Sequence, residues 1–269
     1  DVNIEKSNMS FSVTSKNHKI EYCGKGINGI FSNRKNLFNL KFLKMFFEII
    51  KFYKKNSKTN NNINNQTLES YLASEKLSTY FINYHIIPMV SAIWSMPPDE
   101  AKKMPIHFFL NFFQNHGLFK LRNRPQWYTV SNRSKTYVEK VLNKISGEYF
   151  KNYEVKKIKR SPKNVSVYYG EENEYFSYDK VVIATHANDA LSILDEPTDE
   201  EKDILSKFNY KTNIAYIHSD KTFMPKNINA WSSWNSIIDT DNLQKNSVTY
   251  WLNLLQNLNL NDDIFLTLN

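Results

Sequence analysis

The chain has 269 residues, 41% of them hydrophobic, and a formal charge of +8, a composition that supports a sizeable core and a length that suits one or two domains. No run approaches the roughly 18 uninterrupted apolar residues of a membrane-spanning helix, because the densest stretch, Phe42 to Tyr53, is broken by Lys44, Glu48 and Lys51. A single cysteine, Cys23, makes neither an internal disulfide nor a multi-thiolate site, which suits a reducing, cytoplasmic setting.

Met9 to Val13 and Lys19 to Cys23 are β-compatible runs separated by the polar Ser15-Lys16-Asn17-His18 and predict a hairpin. Gly24-Lys25-Gly26-Ile27-Asn28-Gly29 then matches G-x-G-x-x-G literally. A dinucleotide site needs the third glycine inside a helix and an acid about 20 residues on, at the end of the next strand. Asn33-Arg34-Lys35-Asn36 interrupts any such helix and Glu48 falls inside another helical pattern, so the segment reads as a glycine-rich turn. From Leu40 to Tyr53 the apolar positions 42, 43, 46, 49, 50 and 53 follow helical spacing, and the polar tract from Asn56 to Gln66 ends it as a surface loop. Thr67 caps a run through Tyr84, Pro98 suits a first helical turn, and Ile106 to His116 closes at Gly117. Residues 35–122 are therefore expected to be mainly helical.

After Pro125, Trp127 to Val130 reads as extended, and a helix follows with Tyr137, Val138, Val141, Leu142 and Ile145 on one face before Gly147. Glu154 to Ile158, Val165 to Tyr169 and Tyr175 to Tyr178 are short strand patterns; Val181-Val182-Ile183-Ala184 is continuously apolar and predicts a central, buried strand. Thr198 with Glu201 forms a capping box opening a helix to about Phe208. The tail from Thr212 mixes strands with a helix near Trp251 to Leu258. The expected class is α/β, with mixed α+β character.

Between Arg34 and Lys58 eight cations stand against Glu48 alone. This basic stretch allows a non-enzymatic alternative, a peripheral module whose helix from Leu40 to Lys55 lies on an anionic membrane with lysines outward and phenylalanines inward. No stacking motif or finger accompanies the charge, so no nucleic-acid partner is expected. The histidines show no H-E-x-x-H or paired Cys/His spacing, so no metal is expected. Ser232 and Ser233 lack the glycines of a nucleophile elbow. Trp94, Trp231, Trp234 and Tyr250 are candidates to line an apolar substrate cavity.

Three stretches carry a family likeness: Tyr84-His85-Ile86-Ile87-Pro88-Met89 through Ile93-Trp94-Ser95, Arg124-Pro125-Gln126-Trp127-Tyr128-Thr129-Val130, and Val181 to Ala187. Asn115-His116-Gly117-Leu118 and Ala230 to Asn235 support them. Together they resemble the bacterial flavin-containing amine oxidases, NAD/FAD-binding proteins often found near cyclopropane fatty acid synthases. The likeness runs over nearly the whole chain, and Phe265 to Asn269 resembles a segment well inside the family's sequence, so both ends of a longer protein are expected to be absent.

The resemblance implies an FAD-dependent oxidoreductase, of the amine oxidase or desaturase type, acting on an apolar or lipid-like substrate. Its Rossmann-like FAD-binding domain would be partial and interleaved with a helical and mixed-sheet substrate domain. Residues 1–34 and 35–122 would be the hairpin and helices of the substrate domain, 123–196 the partial FAD-binding domain, and 197–269 the remaining substrate domain. Residue by residue, it implies that Val155 presents backbone groups to the adenine, that the Ala184-Thr185-His186 turn runs close to the cofactor, and that Ser134 lies beside it. Ser131-Asn132-Arg133-Ser134 stands where the family has a Gly-Gly pair, and Arg133 fits a positive φ poorly. The glycine turn that holds the pyrophosphate in the family has no counterpart here, so the chain alone is expected to be inactive and not to hold FAD. No acid, base or nucleophile is implied, because the hydride chemistry belongs to the flavin.

Overall fold

Residues 1–15, 17–57, 66–170, 174–238 and 246–268 are described by the computed structural model. Their strands are β1 (Ile4–Ser7), β2 (Phe11–Ser15), β3 (Ile20–Cys23), β4 (Trp127–Val130), β5 (Val155–Arg160), β6 (Val165–Tyr169), β7 (Glu174–Tyr178), β8 (Ala215–His218), β9 (Trp234–Ile238), β10 (Asn246–Trp251) and β11 (Phe265–Leu268). The chain divides into one unit of residues 1–136 with 213–269 and another of residues 137–212. Most of the expected polar tract from Asn56 to Gln66 lies outside the described residues.

In the first unit β2 and β3 form the expected antiparallel hairpin, with Ser12 opposite Cys23 and Ser15 opposite Ile20. β9 lies parallel to β2, and β10, β11 and β8 continue antiparallel, giving a mixed six-stranded sheet in the order β3-β2-β9-β10-β11-β8. Side chains alternate along a strand, so Val13 enters the apolar core while Ser12 turns to the opposite face. There Ser12 Oγ donates to Asn235 Oδ1 at 2.8 Å, and Asn235 Nδ2 donates to the carbonyls of Ser232 and Thr249. Ser233 Oγ accepts from the Ser10 amide and donates to the Ser10 carbonyl. These buried polar side chains tie β2 and the residue before it to β9 and the residues before it, Ser12 through the Asn235 side chain and Ser233 through backbone.

Helices cover the other face. Asn39 caps the Leu40–Asn56 helix through Lys41 N and Phe42 N. Phe42, Met45, Phe52 and Tyr53 bury one side against Val13, Ile20 and Tyr22, while Lys41, Lys44, Lys51 and Lys54 stay exposed. The helix runs past Tyr53 because Asn56 is tied inward, donating to the Phe52 carbonyl and accepting from Tyr71 Oη. Thr67 caps the next helix as expected, but the run to Tyr84 is not continuous. It breaks at Lys76, which takes φ +52°, and restarts at Ser78, whose amide and hydroxyl both donate to Glu48. A wider π turn over Ile82–Ile86 leads into the Ile87–Trp94 helix. Pro98–Lys103 and Ile106–Asn115 follow. Gly117 then takes φ +64°, where a Cβ would come within 2.8 Å of Pro125 Cδ, so only glycine fits.

β4 pairs antiparallel with β1, which keeps residues 123–136 in the first unit and not with the segment expected to begin at 123. The second unit is built on the antiparallel sheet β5-β6-β7. Thr198 and Glu201 form the expected capping box of the Asp199–Leu205 helix, and Arg160 grips Glu201 through Nη1 at 2.7 Å and Nη2 at 3.0 Å. That fork holds the helix to β5 and places residues 197–212 in this unit. Val181–Ala184 is not a strand: it has no regular secondary structure and no ladder partner among the described strands, and Val182 is 90% exposed. A continuous apolar run becomes a buried strand only with hydrogen-bonded neighbours and covering layers, and none of the described strands pairs with it. The apolar stripe of the Arg133–Leu142 helix is likewise exposed at Tyr137, Val138 and Val141, and the helix ends before Ile145. Helices, a mixed sheet and an antiparallel sheet together make the fold α/β.

Candidate functional site

A cavity of about 560 Å³ lies in the first unit, between the helical layer and the start of the mixed sheet, a volume typical of small-molecule sites. Its apolar wall comes from the Leu40–Asn56 helix (Phe42, Met45, Phe46, Ile49 and Ile50), with Met89, Ile93 and Phe112 from the later helices. Trp234 closes it from β9. The helical periodicity that builds the core also builds this wall: Phe42 and Met45 are buried and belong to both.

Tyr22, Tyr53 and His85 are among the polar side chains that interrupt the apolar lining. His85 is buried on the π turn, with Nδ1 at 2.9 Å from Tyr22 Oη and Nε2 at 2.9 Å from Tyr53 Oη. Tyr22 spends its one proton on the Tyr84 carbonyl at 2.9 Å. His85 must therefore donate from Nδ1 to Tyr22, which leaves Nε2 as the acceptor for the Tyr53 hydroxyl. A single directed chain results, from Tyr53 through His85 and Tyr22 to the backbone. Burial pushes the His85 imidazole down to about 3, and the Arg124 guanidinium adds to this. Burial also raises the Tyr22 and Tyr53 hydroxyls well above the usual phenol range. All three groups are neutral near pH 7, and both phenol protons are committed inside the protein.

Cationic side chains reach the same cavity. Lys25 Nζ donates to the Trp231 carbonyl at 3.0 Å, and desolvation lowers its pKa. Arg124 Nε donates to the Lys120 carbonyl at 2.8 Å. The described lining residues include no aspartate or glutamate.

The candidate residues fall in different places. Of the four proposed cavity aromatics, Trp234 lines this cavity; its indole N–H is buried and has no acceptor among the described residues. Tyr250 packs edge-on against it at 5.3 Å between centroids. Trp94 packs tilted against the lining residue Phe112, whereas Trp231 sits in a separate cluster with Met224, Trp251 and Phe265. Ser134 is exposed in the first unit, just after Asn132 and Arg133, which both adopt positive φ, 59° and 69°. This chain therefore keeps the left-handed turn that a Gly-Gly pair would favour. In the second unit Val155 begins β5 opposite Tyr169, and Ala184, Thr185 and His186 are exposed. The His186 ring stacks on Tyr210 at 4.3 Å, and the Tyr210 hydroxyl accepts the Ala187 amide at 3.1 Å.

The literal G-x-G-x-x-G segment has another use. Its helix, Gly26–Ile30, is only five residues long and follows β3, which is an antiparallel edge strand. Gly29 is needed for packing, since a Cβ there would come within 2.5 Å of Cys23 Sγ. Among the described residues no cluster of metal-ligating side chains occurs. Sequence spacing did not single out Tyr22, Tyr53, His85, Lys25 or Arg124 as a site, because they are brought together from segments as far apart as positions 22 and 124.

No family profile and no curated protein matches the sequence. Solved structures do match the fold. A triple mutant of putrescine oxidase with redesigned cofactor binding aligns at TM-score 0.63 and 9% identity, over 99% of this chain and 59% of its own. The CLA-producing fatty acid isomerase from P. acnes aligns at TM-score 0.59 and 12% identity, over 98% of this chain and 58% of its own. Cyclohexylamine oxidase from Brevibacterium oxydans IH-35A aligns at TM-score 0.53 and 10% identity, over 99% and 58%. The chain thus has the fold of these proteins and spans about three-fifths of their length.

Proposed function

We propose that the whole protein is an FAD-dependent oxidoreductase acting on an apolar or lipid-like substrate, with this chain supplying the substrate cavity and part of the flavin site. The observation that carries the reading is the 560 Å³ cavity walled by Phe42, Met45, Phe46, Ile49 and Met89, in a chain whose fold follows those oxidases and that isomerase along nearly its full length. Amine-like and fatty-acid-like substrates both occur in the names of these neighbours.

The residues present suit a flavin in part. The paired positive φ values at Asn132 and Arg133 let the backbone come close to a planar group before Ser134, as a Gly-Gly pair would. Val155 opens a strand paired on its β6 side, and a strand end can offer N–H and C=O groups to an adenine. In the second unit Ala184, Thr185 and His186 are exposed. The five-residue Gly26–Ile30 helix is too short to hold a pyrophosphate, so that role falls to another part of the whole protein. The second unit has the same requirement: among its described residues only Ile158 and Ala190 are buried, and Val181–Ala184 presents an apolar edge without partners. When bound, the flavin would accept the hydride from the substrate. The chain's own part is to hold an apolar chain out of water and to keep a neutral, proton-committed wall of Tyr22, His85 and Tyr53 beside it.

Thermal melting tests this. The full-length natural protein should be stabilised by FAD, by about 2.7 kcal/mol at a hundredfold excess over Kd, whereas residues 1–269 alone should show little shift. A folded full-length protein with no shift would remove the flavin reading.

A second reading, that the protein works at an anionic membrane surface, is favoured by one specific patch. Phe38 is 89% exposed, Leu40 81% and Phe47 65%, all within the stretch from Arg34 to Lys58 that also carries Lys35, Lys41 and Lys44. The surface differs from the one expected from sequence, because the helix's main phenylalanine face is taken up by the core. Among the described residues no helix is long and apolar enough to cross a membrane. Flotation with anionic vesicles, and its loss in a Phe38→Ser and Leu40→Ser variant, would support surface binding; equal flotation of the variant would remove this patch from the account.

A further inference from the structure

The cavity has an asymmetric charge distribution. Its wall is mostly aliphatic and aromatic, with neutral polar side chains at Ser7, Asn8, Ser10 and Gln126, and the charged side chains among its described lining residues, Lys25 and Arg124, are both cations. Both residues are exposed to solvent over part of their surface. Arg124 uses only Nε, on the Lys120 carbonyl, and neither Nη atom has a partner among the described residues. The guanidinium is thus left with a free two-nitrogen fork, the geometry that takes a carboxylate in a bidentate pair.

The neutral polar wall reinforces the asymmetry. Tyr53 gives its proton to His85, and Tyr22 gives its proton to the Tyr84 carbonyl, so neither hydroxyl has a proton left for a ligand. The Tyr53 oxygen offers only lone pairs to the cavity, which disfavour an anion at that depth. An ammonium group gains nothing beside Lys25 and Arg124, which repel it. A negatively charged head with a long apolar tail suits both the cations and the apolar wall: head at Lys25 and Arg124, tail along Met45, Phe46, Ile49 and Met89.

We infer that this cavity binds a long-chain carboxylate, with its carboxyl group held by Arg124 and Lys25 and its alkyl chain inside, and that the substrate is of the fatty-acid class and not an amine. This assignment rests on the reading of the cavity as the substrate site, but it makes a claim of its own that needs no flavin.

The test is a fluorescence titration of the chain with cis-parinarate, an eighteen-carbon polyene carboxylate, followed by displacement with oleate, oleyl alcohol and oleylamine below their micelle concentrations. Oleate should compete at least about tenfold better than the alcohol or the amine, as expected for a paired carboxylate. In a Lys25→Gln and Arg124→Gln double variant, checked by circular dichroism, oleate should fall to the level of the alcohol while the alcohol itself is unchanged. Absence of saturable parinarate binding, equal competition by oleylamine, or an unaffected double variant would each overturn the assignment. A protein that binds FAD but not parinarate overturns only this inference. One that prefers carboxylates yet never binds FAD keeps it and loses the flavin reading.

Discussion

His85 joins stability to pH through one buried ring. Its folded pKa is lowered to about 3 from 6.5, so between these values the unfolded chain binds a proton that the folded chain refuses. Stability contributed by the neutral imidazole is therefore fully present above pH 6.5 and is lost as pH falls toward 3. Urea melts at pH 7 and pH 4.5 should show a larger acid loss for the natural protein than for His85→Phe, which has no titrating ring. At neutral pH the same variant should lose about 1–3 kcal/mol, because the Tyr53 hydroxyl is left without its acceptor. An identical acid slope in both proteins would contradict the neutral, doubly bonded ring. Arg133 gives an opposite prediction. It is held at φ +69°, a region that costs a non-glycine residue roughly 1–2 kcal/mol. Arg133→Gly should then raise stability by up to about 1 kcal/mol once the glycine's greater unfolded entropy is subtracted, even though it removes the Arg133–Gln256 hydrogen bond.

The Leu40–Asn56 helix shows how an element divides its labour. Phe52 meets the rings of Tyr53, Tyr71, Phe81, Phe109 and Phe119 in the core, so Phe52→Ala should cost about 3–5 kcal/mol in a denaturant melt. Replacing Lys41, Lys44 and Lys51 with Gln touches only the exposed side and should leave stability within about 0.5 kcal/mol. A large loss from the lysine changes would mean that the charged side is packed after all. This helix was legible in sequence because its apolar spacing is a local signal. So were the hairpin and the Thr198–Glu201 box. The Val181–Ala184 segment was misread for a complementary reason: its composition reports a capacity for burial, but the strands that would bury it are not set by its own residues. The break at Lys76 was invisible too, since it depends on Glu48 reaching across to Ser78, 30 positions away. The cavity aromatics were read from composition alone, and only Trp234 reaches the lining. The Tyr22–His85–Tyr53 chain left no sequence signal, because its three members come from a strand and two helical segments.

At the scale of the molecule, two features separate the units. The first has a large mixed core and a defined cavity, whereas the second buries little beyond Ile158 and Ala190 among its described residues. The chain spans about three-fifths of the length of the proteins sharing its fold, and Val182, within the apolar Val181–Ala184 segment, is 90% exposed. The most direct measurement is the visible absorbance of the full-length natural protein after gel filtration, beside that of residues 1–269. The account predicts a yellow full-length protein carrying about one FAD per chain and a colourless shorter one. A folded, colourless full-length protein would contradict it, and stoichiometric FAD on residues 1–269 would contradict the division of the cofactor site between this chain and the rest.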